Sequence, residues 1–297
     1  MERMKRVIEV CGFERDVSGW KDITSKLFNS IEYTGLCNWH SNRDRIVADL
    51  VIEKKGDVEI CDPFLSVDKY FERGSDGRLI AKVPLYIKHL EDSLSGTTIC
   101  CDGVYLGEGA ELLKANIRTI AYVGDAARLI NSNVISTNNK KGEASYIGAG
   151  VTIEDAHQFC KSVVGSGVEN FQAYSASYIH AAINGAIIGG SVGVSDGVGF
   201  QSHWTKAEDT RLIDPFDRDK AMIIPFEKRG STPSLIGSDC RIAGGIQIAS
   251  PLIVAAGETV GDKKYHAREM FSGMIIDGMH YYVEAVDSIY KVNREAL

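Results

Sequence analysis

The sequence predicts a mainly β fold in which short strands turn a corner every six residues, preceded by an α/β region and followed by a helix. Large apolar residues recur every six positions from about residue 100. A period of six fits neither an isolated helix nor a plain strand, and it is typical of proteins built from stacked repeats. Glycine is plentiful, at 30 residues, while proline is scarce, at 6, which indicates many tight corners within regular structure.

Three series of apolar residues carry this period. The first is Val123, Leu129, Ile135, Ile147, Ile153 and Phe159, with Lys141 at its one polar site; the second is Ile188, Val194 and Phe200; the third is Ile236, Ile242, Ile248, Val254 and Val260. One inward side chain per corner would fill a narrow prism, and three six-residue segments would make one triangular coil. Successive coils would stack at the strand spacing of roughly 4.8 Å, and each would need its neighbours to bury its face.

Glycine directly follows a large apolar residue at six of the predicted corners. These glycines are Gly107, Gly124, Gly148, Gly165, Gly189 and Gly237. A corner residue must adopt an unusual backbone conformation, which glycine tolerates best. We therefore expect these glycines to be the residues that turn the chain.

The chain divides into three predicted domains. Residues 1–98 form an α/β domain with three strand-like segments, KRVIEVCGF, RIVADLVIE and DVEICDPFLSV, and one segment with the serine cap and spacing of a helix, SGWKDITSKLFNSIEYTG. Residues 99–262 form the repeat, with an extruded loop at 201–233. Residues 263–297 form a C-terminal helical extension that covers the open end of the stack. Its apolar stripe contains Met274, Ile275, Met279, Val283, Val286 and Ile289.

Charge and composition argue against other classes of protein. The 33 basic and 40 acidic residues give a net charge of −7 without a long Lys/Arg block, so no nucleic-acid partner is expected. No signal peptide or long apolar stretch is evident, so we expect a cytoplasmic protein without a membrane partner. The seven scattered cysteines include no CxxC pair, which predicts reduced thiols and no zinc site. Neither a GxGxxG nor a P-loop motif supports a nucleotide cofactor of those kinds.

The late repeats resemble the terminal coils of hexapeptide-repeat acyltransferases in the stretch LIGSDCRIAGGIQIASPLIVAAGETVGDK, and YIGAGVTI and YLGEGAEL are similar to further units of that family. The resemblance spans about residues 100–262. It implies a left-handed parallel β-helix that assembles as a homotrimer, with acetyl-CoA as the acyl donor. The implied reaction transfers an acetyl or similar acyl group to a hydroxyl or amine of a small polar acceptor, such as a sugar or nucleotide-sugar.

The interruption at 201–233 contains the predicted catalytic residue. In the resembled family a loop leaves a late coil, and a histidine near the start of that loop is the general base; His203 stands at this place. A hydroxyl or amine that attacks a thioester must lose its proton as the bond forms, and imidazole has a pKa near neutral pH. The other ring nitrogen needs an acceptor that fixes its tautomer. Glu208, Asp209 or a carboxylate of the adjacent subunit can serve.

The last coils contain the residues that the resemblance assigns to the donor. In the family the pantetheine arm lies between neighbouring prisms against main-chain amides of small residues, and a basic residue after the final coil faces the nucleotide phosphates. The matching small residues are Gly245, Ala249, Ser250, Ala255, Ala256 and Gly257. The matching basic residues are Lys263 and Lys264, with Arg268 nearby.

Two further histidines are alternatives to His203, and a non-catalytic protein is the alternative to an acyltransferase. His157 and His180 can be exposed or corner side chains, or alternative bases. With His203 they raise the zinc-binding carbonic anhydrase branch of the fold, but spacings of 23 and 23 residues without a close histidine pair fit that pattern poorly. The second hypothesis is a non-catalytic trimeric β-solenoid that serves as a fibre, shell or scaffold component. The polar Lys141 and the slipped register between Phe159 and Ile188 favour it.

Overall fold

The computed structural model describes residues 13–16, 19–22, 39–62, 67–135, 144–154, 156–160, 163–164, 172–173, 181–184, 186–188, 193–194, 199–201, 210–214, 217–224, 234–236, 240–242, 247–255, 257–260, 270–286 and 289–296. Over these residues the chain is mainly β, as the sequence predicts. The elements up to residue 92 are β1 (Phe13–Asp16), β2 (Gly19–Asp22), α1 (Trp39–Lys55), β3 (Glu59–Ile60), α2 (Val67–Tyr70), β4 (Phe71–Arg73), β5 (Leu79–Ala81) and β6 (Leu85–Asp92).

The remaining elements are all strands in the part of the chain that the structure describes. The first of them are β7 (Thr97–Leu106), β8 (Glu111–Leu113), β9 (Asn116–Ile117), β10 (Ile120–Val123), β11 (Arg128–Ile130), β12 (Asn133–Val134), β13 (Ala144–Ile147), β14 (Thr152–Glu154), β15 (Ala156–Cys160), β16 (Val163–Val164), β17 (Gln172–Ala173), β18 (Ala181–Asn184), β19 (Ala186–Ile188), β20 (Gly193–Val194) and β21 (Gly199–Gln201). The others are β22 (Thr210–Asp214), β23 (Asp217–Ile224), β24 (Ser234–Ile236), β25 (Arg241–Ile242), β26 (Gln247–Val254), β27 (Thr259–Val260), β28 (Met270–Ile276), β29 (Met279–Val286) and β30 (Ile289–Ala296).

From β7 onward the strands pair in three parallel ladders. The first ladder contains β10, β13, β16, β19, β24 and the C-terminal ends of β7, β26 and β28. The second contains β8, β11, β14, β17, β20, β25 and β27. The third contains β9, β12, β15, β18, β21 and the N-terminal ends of β7, β26 and β28. Apart from β22, β23, β29 and β30, the chain visits the ladders in a repeating order, so β10, β11 and β12 belong to the first, second and third.

One apolar core runs along all three ladders. Its rows are Leu106, Val123, Ile147, Val164, Ile236, Val254 and Ile275 in the first ladder, Leu112, Leu129, Ile153, Ile242 and Val260 in the second, and Ile99, Ile117 and Val134 in the third. The six-residue series is therefore confirmed where side chains are described, with one exception. Val134 is buried in place of the predicted Ile135, which is only half-buried. Lys141 lies outside the described residues.

The exception at Ile135 has a local cause. Asn131 turns its corner with a φ of 47°, as Lys114 does with 49° in the preceding repeat. At this corner the next buried apolar residue follows after five positions, from Leu129 to Val134, and not after six. The repeat is consequently not uniform, and Tyr105 and Tyr122, which are Cα partners in the first ladder, are 17 residues apart.

The predicted role of the corner glycines is wrong for the three that the structure describes. Gly107, Gly124 and Gly148 do not have positive φ; the left-handed residues of these corners come two positions later, at Gly109, Ala126 and Gly150 in the same order. The reason for glycine is close approach between neighbouring strand ends. A Cβ on Gly124 would lie 2.5 Å from the backbone nitrogen of Ala149. Gly165, Gly189 and Gly237 lie outside the described residues.

The region before the repeat differs from the prediction in two ways. The segment RIVADLVIE is part of helix α1 and not a strand, because its buried residues Ile46, Val47, Leu50 and Val51 lie on one helical face. The predicted helix that starts at Ser18 is contradicted at its beginning, where β2 pairs with β1. Within DVEICDPFLSV, β3 is a strand, and residues 63–66 lie outside the described residues. KRVIEVCGF lies outside the described residues except for Phe13, the first residue of β1.

Helix α1 covers a row of tyrosines on the side of the first ladder opposite its core row. Tyr86, Tyr105, Tyr122 and Tyr146 are successive Cα partners. The rings of Tyr105 and Tyr122 stack with centroids 4.6 Å apart, and those of Tyr122 and Tyr146 with 4.8 Å. Val51 packs on this row, and the Ala144 N–H donates to Asp44 Oδ1 at 2.7 Å, which joins the helix to β13.

The predicted C-terminal helix is wrong. Residues from 270 onward form the antiparallel strands β28, β29 and β30. Asp277 and Gly278 connect β28 to β29 with φ angles of 54° and 68°. Positive φ at both central residues is the signature of the two-residue hairpin turn that Asp-Gly favours, so this local turn overrides the helix-like spacing of the apolar residues.

The loop predicted at 201–233 corresponds to an insertion between β21 and β24. The register jumps there, since Ile188 of β19 pairs with Ile236 of β24. Within the insertion β22 and β23 pair with each other as an antiparallel hairpin that belongs to none of the three ladders. The apolar core also crosses the predicted boundary at residue 98, because it contains Phe71, Leu79 and Leu85 together with the repeat. The domain boundaries stay a prediction.

The close approach at Gly124 predicts an intolerant position. We expect Gly124→Ala to lower the free energy of unfolding by about 1–3 kcal/mol, the usual cost of overpacking. Gly56→Ala is the matched control, because Gly56 is exposed without a positive φ and its Cβ would lie 3.6 Å from the nearest atom, the Glu53 carbonyl oxygen, so the free energy of unfolding should change little. Urea unfolding of both variants measures the difference. A Gly124→Ala variant as stable as the wild type would contradict the close approach.

Candidate functional site

The predicted catalytic residues His203, Glu208 and Asp209 lie outside the residues that the structure describes, as do His180 and most of the predicted donor set: Gly245, Ala256, Lys263, Lys264 and Arg268. Ala249 and Ser250 lie in β26, and Ala255 and Gly257 follow that strand. His157 lies in β15, at a register irregularity between Ala156 and Gln158. The candidate site is therefore defined by the strands that flank the insertion.

The structure brings the start of the insertion next to the predicted donor segment. Gln201, the last residue of β21, is the Cα partner of Ala249 in the third ladder. His203 follows Gln201 by two residues, which span at most about 7 Å of extended chain. The last described residue before the predicted base and one predicted donor residue, which are 48 positions apart in the sequence, thus lie on the same rung.

Strand β26 bends at this point. Its first part, through Ala249, pairs with β21 in the third ladder, whereas Leu252 to Val254 pair with β28 in the first ladder. The register shifts between Ile248 and Leu252. Ser250 and Pro251 therefore connect two ladders, and the bend interrupts regular pairing beside the insertion.

Ala255 has its backbone polar groups already occupied. Its N–H donates to the Ile275 carbonyl at 2.9 Å, and its carbonyl accepts from Cys240 Sγ at 2.9 Å. A ligand at this residue would therefore contact the methyl group of Ala255, because the backbone N–H is already used in a hydrogen bond. Gly257, two residues on, is exposed with a φ of 79°, and a Cβ at this position would have no atom within 4 Å, so a ligand can approach the backbone there.

A charged network on the second ladder was not predicted. Glu111 Oε2 accepts from Arg78 Nη1 at 2.7 Å and from Arg128 Nε at 2.9 Å, and Asp76 pairs with Arg78 as well. The available signal was the register, since Glu111 and Arg128 are Cα partners. Two guanidinium groups face two carboxylates, so the network is balanced in charge and serves to join rungs of the ladder.

A second ion pair closes the turn between β6 and β7. Arg73 donates from Nη1 and Nη2 to the two carboxylate oxygens of Asp92 at 3.0 and 2.8 Å, and the Ser95 N–H donates to Asp92 Oδ2 at 2.8 Å. The hydrogen bonds from Arg73, followed by those from Ser95, lower the pKa of Asp92 from 3.8 to about 2. Asp92 is buried, so this bidentate contact is shielded from water.

The described thiols are poor nucleophiles where they are buried. Burial raises the pKa of Cys61 and of Cys101 to about 11, and nearby Asp62 and Asp102 contribute in the same direction. Both thiols are therefore protonated at neutral pH. Within the described ranges, no three His, Cys, Asp or Glu side chains are grouped as a metal site would require.

Comparisons with known proteins do not assign this chain to a family. No family model matches it, and no curated protein or solved structure is significantly similar to it. In the part of the chain that the structure describes, no helix combines the length and apolar character needed to cross a membrane.

The Arg73–Asp92 contact predicts a stability that depends on pH. Because folding lowers the pKa of Asp92, its contribution is present above pH 4 and is lost as the pH falls through about 2. We expect Asp92→Asn to reduce the free energy of unfolding at pH 7 by on the order of 2 kcal/mol, and by roughly half as much at pH 3. Urea titrations of both proteins at the two pH values measure this. A difference that does not change with pH would contradict the assigned charge state.

Proposed function

We propose that the chain is a coenzyme A-dependent acyltransferase of the hexapeptide-repeat kind, and that its three ladders are the faces of a left-handed parallel β-helix. The order in which the chain visits the ladders supports this, as do Cα partners that are 17 residues apart at Tyr105 and Tyr122 and 18 apart at Ile236 and Val254. Both separations are close to the three six-residue units of one triangular coil. The buried rows account for one inward side chain per face.

The observation that carries the functional proposal is the pairing of Gln201 with Ala249 beside the insertion. Acyl transfer requires a base, an acceptor and a thioester at one point, and reactants held in such a geometry gain much of the rate enhancement from proximity. The segment that contains His203 begins on the same rung as Ala249, next to the bend at Ser250. A corner without regular pairing leaves space for a ligand between neighbouring chains.

The reaction follows from the chemistry of a thioester. An acceptor hydroxyl or amine attacks the carbonyl carbon of acetyl-CoA while His203 takes the acceptor proton, and the tetrahedral oxyanion is met by a backbone N–H of an adjoining coil. Collapse breaks the carbon–sulfur bond and releases coenzyme A, which receives the proton from the imidazolium. Glu208, Asp209 or a carboxylate of the adjacent subunit holds the histidine tautomer. No covalent acyl-enzyme is needed.

The donor is held by small residues and a terminal cation. Ala249, Ser250 and Gly257 leave room for the pantetheine arm, and Lys263 faces the phosphates. Because the Ala255 amide is already bonded to Ile275, the polar contacts to the arm come from Gly245, Ala256 and their neighbours. The groove lies between subunits, so the active species is a homotrimer acting on a small polar acceptor such as a sugar or nucleotide-sugar.

Binding of the donor tests the proposal without knowledge of the acceptor. We expect millimolar acetyl-CoA or coenzyme A to raise the Tm of the full chain, since a ligand that binds only the folded state stabilises it. Lys263→Glu should reduce the shift, while Lys88→Glu, a charge reversal at an exposed position on β6, should not. Light scattering should give three times the chain mass of 32.5 kDa. A trimer with an unchanged Tm would contradict the transferase and support the non-catalytic β-solenoid.

Substitution of the predicted base tests the mechanism. We expect His203→Ala to lower turnover of an acceptor from a sugar and amino-sugar panel by about 10²–10⁴-fold, with unchanged affinity for acetyl-CoA, because only proton transfer is lost. His89→Ala is the matched control, since His89 is exposed on β6. Product is measured by mass spectrometry. Full turnover in His203→Ala would remove this residue as the base and leave the fold proposal intact.

A further inference from the structure

The tyrosine row under helix α1 is the beginning of a longer apolar row. Successive Cα partners extend it along the first ladder, in the alternate register to the buried core row. Its members are Tyr105, Tyr122, Tyr146, Val163, Ile187, Leu235, Ile253, Met274 and Tyr281. Polar and charged residues occupy comparable positions of the other ladders, such as Asn116 and Asn133 in the third and Glu111 and Arg128 in the second. An apolar row of this length requires cover from water.

At the far end of the row, β28, β29 and β30 form an antiparallel sheet with two different faces. Ile275 and His280 are Cα partners on one face, and Ile275 belongs to the main core. Ile276 and Tyr281 lie on the other face, because strand residues alternate. Both are nonetheless buried, with exposures of 5% and 7%. A second element must therefore cover this face.

The inserted hairpin lies where that cover is needed. Cα atoms of β22 come within 8 Å of Cα atoms in both β28 and β29, and those of β23 come equally close to β30. An element that extended the edge of the sheet would approach only its outermost strand, so the hairpin lies across a face. The core already occupies the Ile275 face at β28. Arg294, the partner of Tyr281 on β30, is exposed and marks the margin of the covered area.

We propose that the inserted hairpin β22–β23 docks on the face of β28–β29 that contains Ile276 and Tyr281, and that this docking holds the insertion in place. The apolar residues of the hairpin lie at adjoining register positions, because Cα pairing puts Leu212 opposite Met222 and Ile213 opposite Ala221. Tyr281 acts as a positioning residue for the hairpin.

The docking has a consequence that rests on the proposed function. The segment with His203 starts at Gln201, fixed in the third ladder, and ends at Thr210, the first residue of the docked hairpin. Both ends are then anchored to strands that are far apart in the sequence. The C-terminal strands, which contain no predicted catalytic residue, thereby help to set the position of the base.

Hydrogen exchange followed by mass spectrometry tests the docking directly. We expect Tyr281→Ala to lower the protection of peptides from 210–224 at least tenfold, while peptides from 120–134 keep their protection. Tyr281→Phe should restore the protection, because the contact is made by the ring. If the transferase is also correct, Tyr281→Ala lowers turnover without changing the affinity for acetyl-CoA.

Two comparisons keep the docking falsifiable. His280→Ala alters the opposite face of the same strand, and release of 210–224 by this variant but not by Tyr281→Ala would overturn the proposal. If Tyr281→Ala does not fold, replacement of 210–224 by a Gly-Ser linker is the second variant. Peptides from 274–282 should then exchange faster than in the wild type, and unchanged exchange would overturn the docking. The hydrogen-exchange measurements use no coenzyme A, so they decide the docking even if the transferase proposal fails.

Discussion

The close stacking of successive rungs is the constraint on which the other features of this structure depend. The N–H groups of Gly107 and Gly124 donate to the carbonyls of Val123 and Ile147, each at 2.8 Å, and the corners between these rungs leave no space for a Cβ. Tyrosine centroids 4.6 and 4.8 Å apart repeat the strand spacing along the first ladder. A residue in such a ladder faces either the core or the outside. On either face its side chain lies next to the side chains of its Cα partners in the rungs above and below.

The same stacking allows each outer face to carry a different chemistry. The first ladder presents stacked tyrosines, which helix α1 covers, and on our proposal the inserted hairpin covers the far end of the same row. The second ladder joins its rungs through Glu111 and two arginines. The third joins them through a hydrogen bond between side-chain amides, in which Asn116 Nδ2 donates to Asn133 Oδ1 at 3.0 Å. The insertion leaves from the third ladder and reaches strands that continue the first, so it passes from a polar face to an apolar one.

Sequence reasoning succeeded where one side chain is required per corner, and it failed where two local signals competed. Val123, Leu129, Ile147 and Ile153 are buried as predicted, because apolar burial at a regular interval has no substitute in a narrow core. RIVADLVIE contains many β-branched residues, yet its buried residues have the spacing of a helix. One apolar face of that helix packs on the tyrosine row, which Val51 contacts. At the C-terminus, the Asp277-Gly278 dipeptide favours a hairpin turn, whereas the spacing of Met274, Ile275 and Met279 is also typical of a helix and led to the wrong prediction. For the site, His203 follows from a resemblance, while the pairing of Gln201 with Ala249 has no sequence signal.

The sequence by itself determined the mainly β class, the approximate six-residue interval and, apart from Ile135, the buried residues of that series whose side chains the structure describes. These properties are local, because each depends on whether a residue is apolar and on its distance from the next one. The tertiary structure alone decided which glycines are needed for close approach and that the insertion lies beside the last strands. Those outcomes depend on which backbone lies nearby, and that neighbour comes from a segment 17 or more residues distant in the chain.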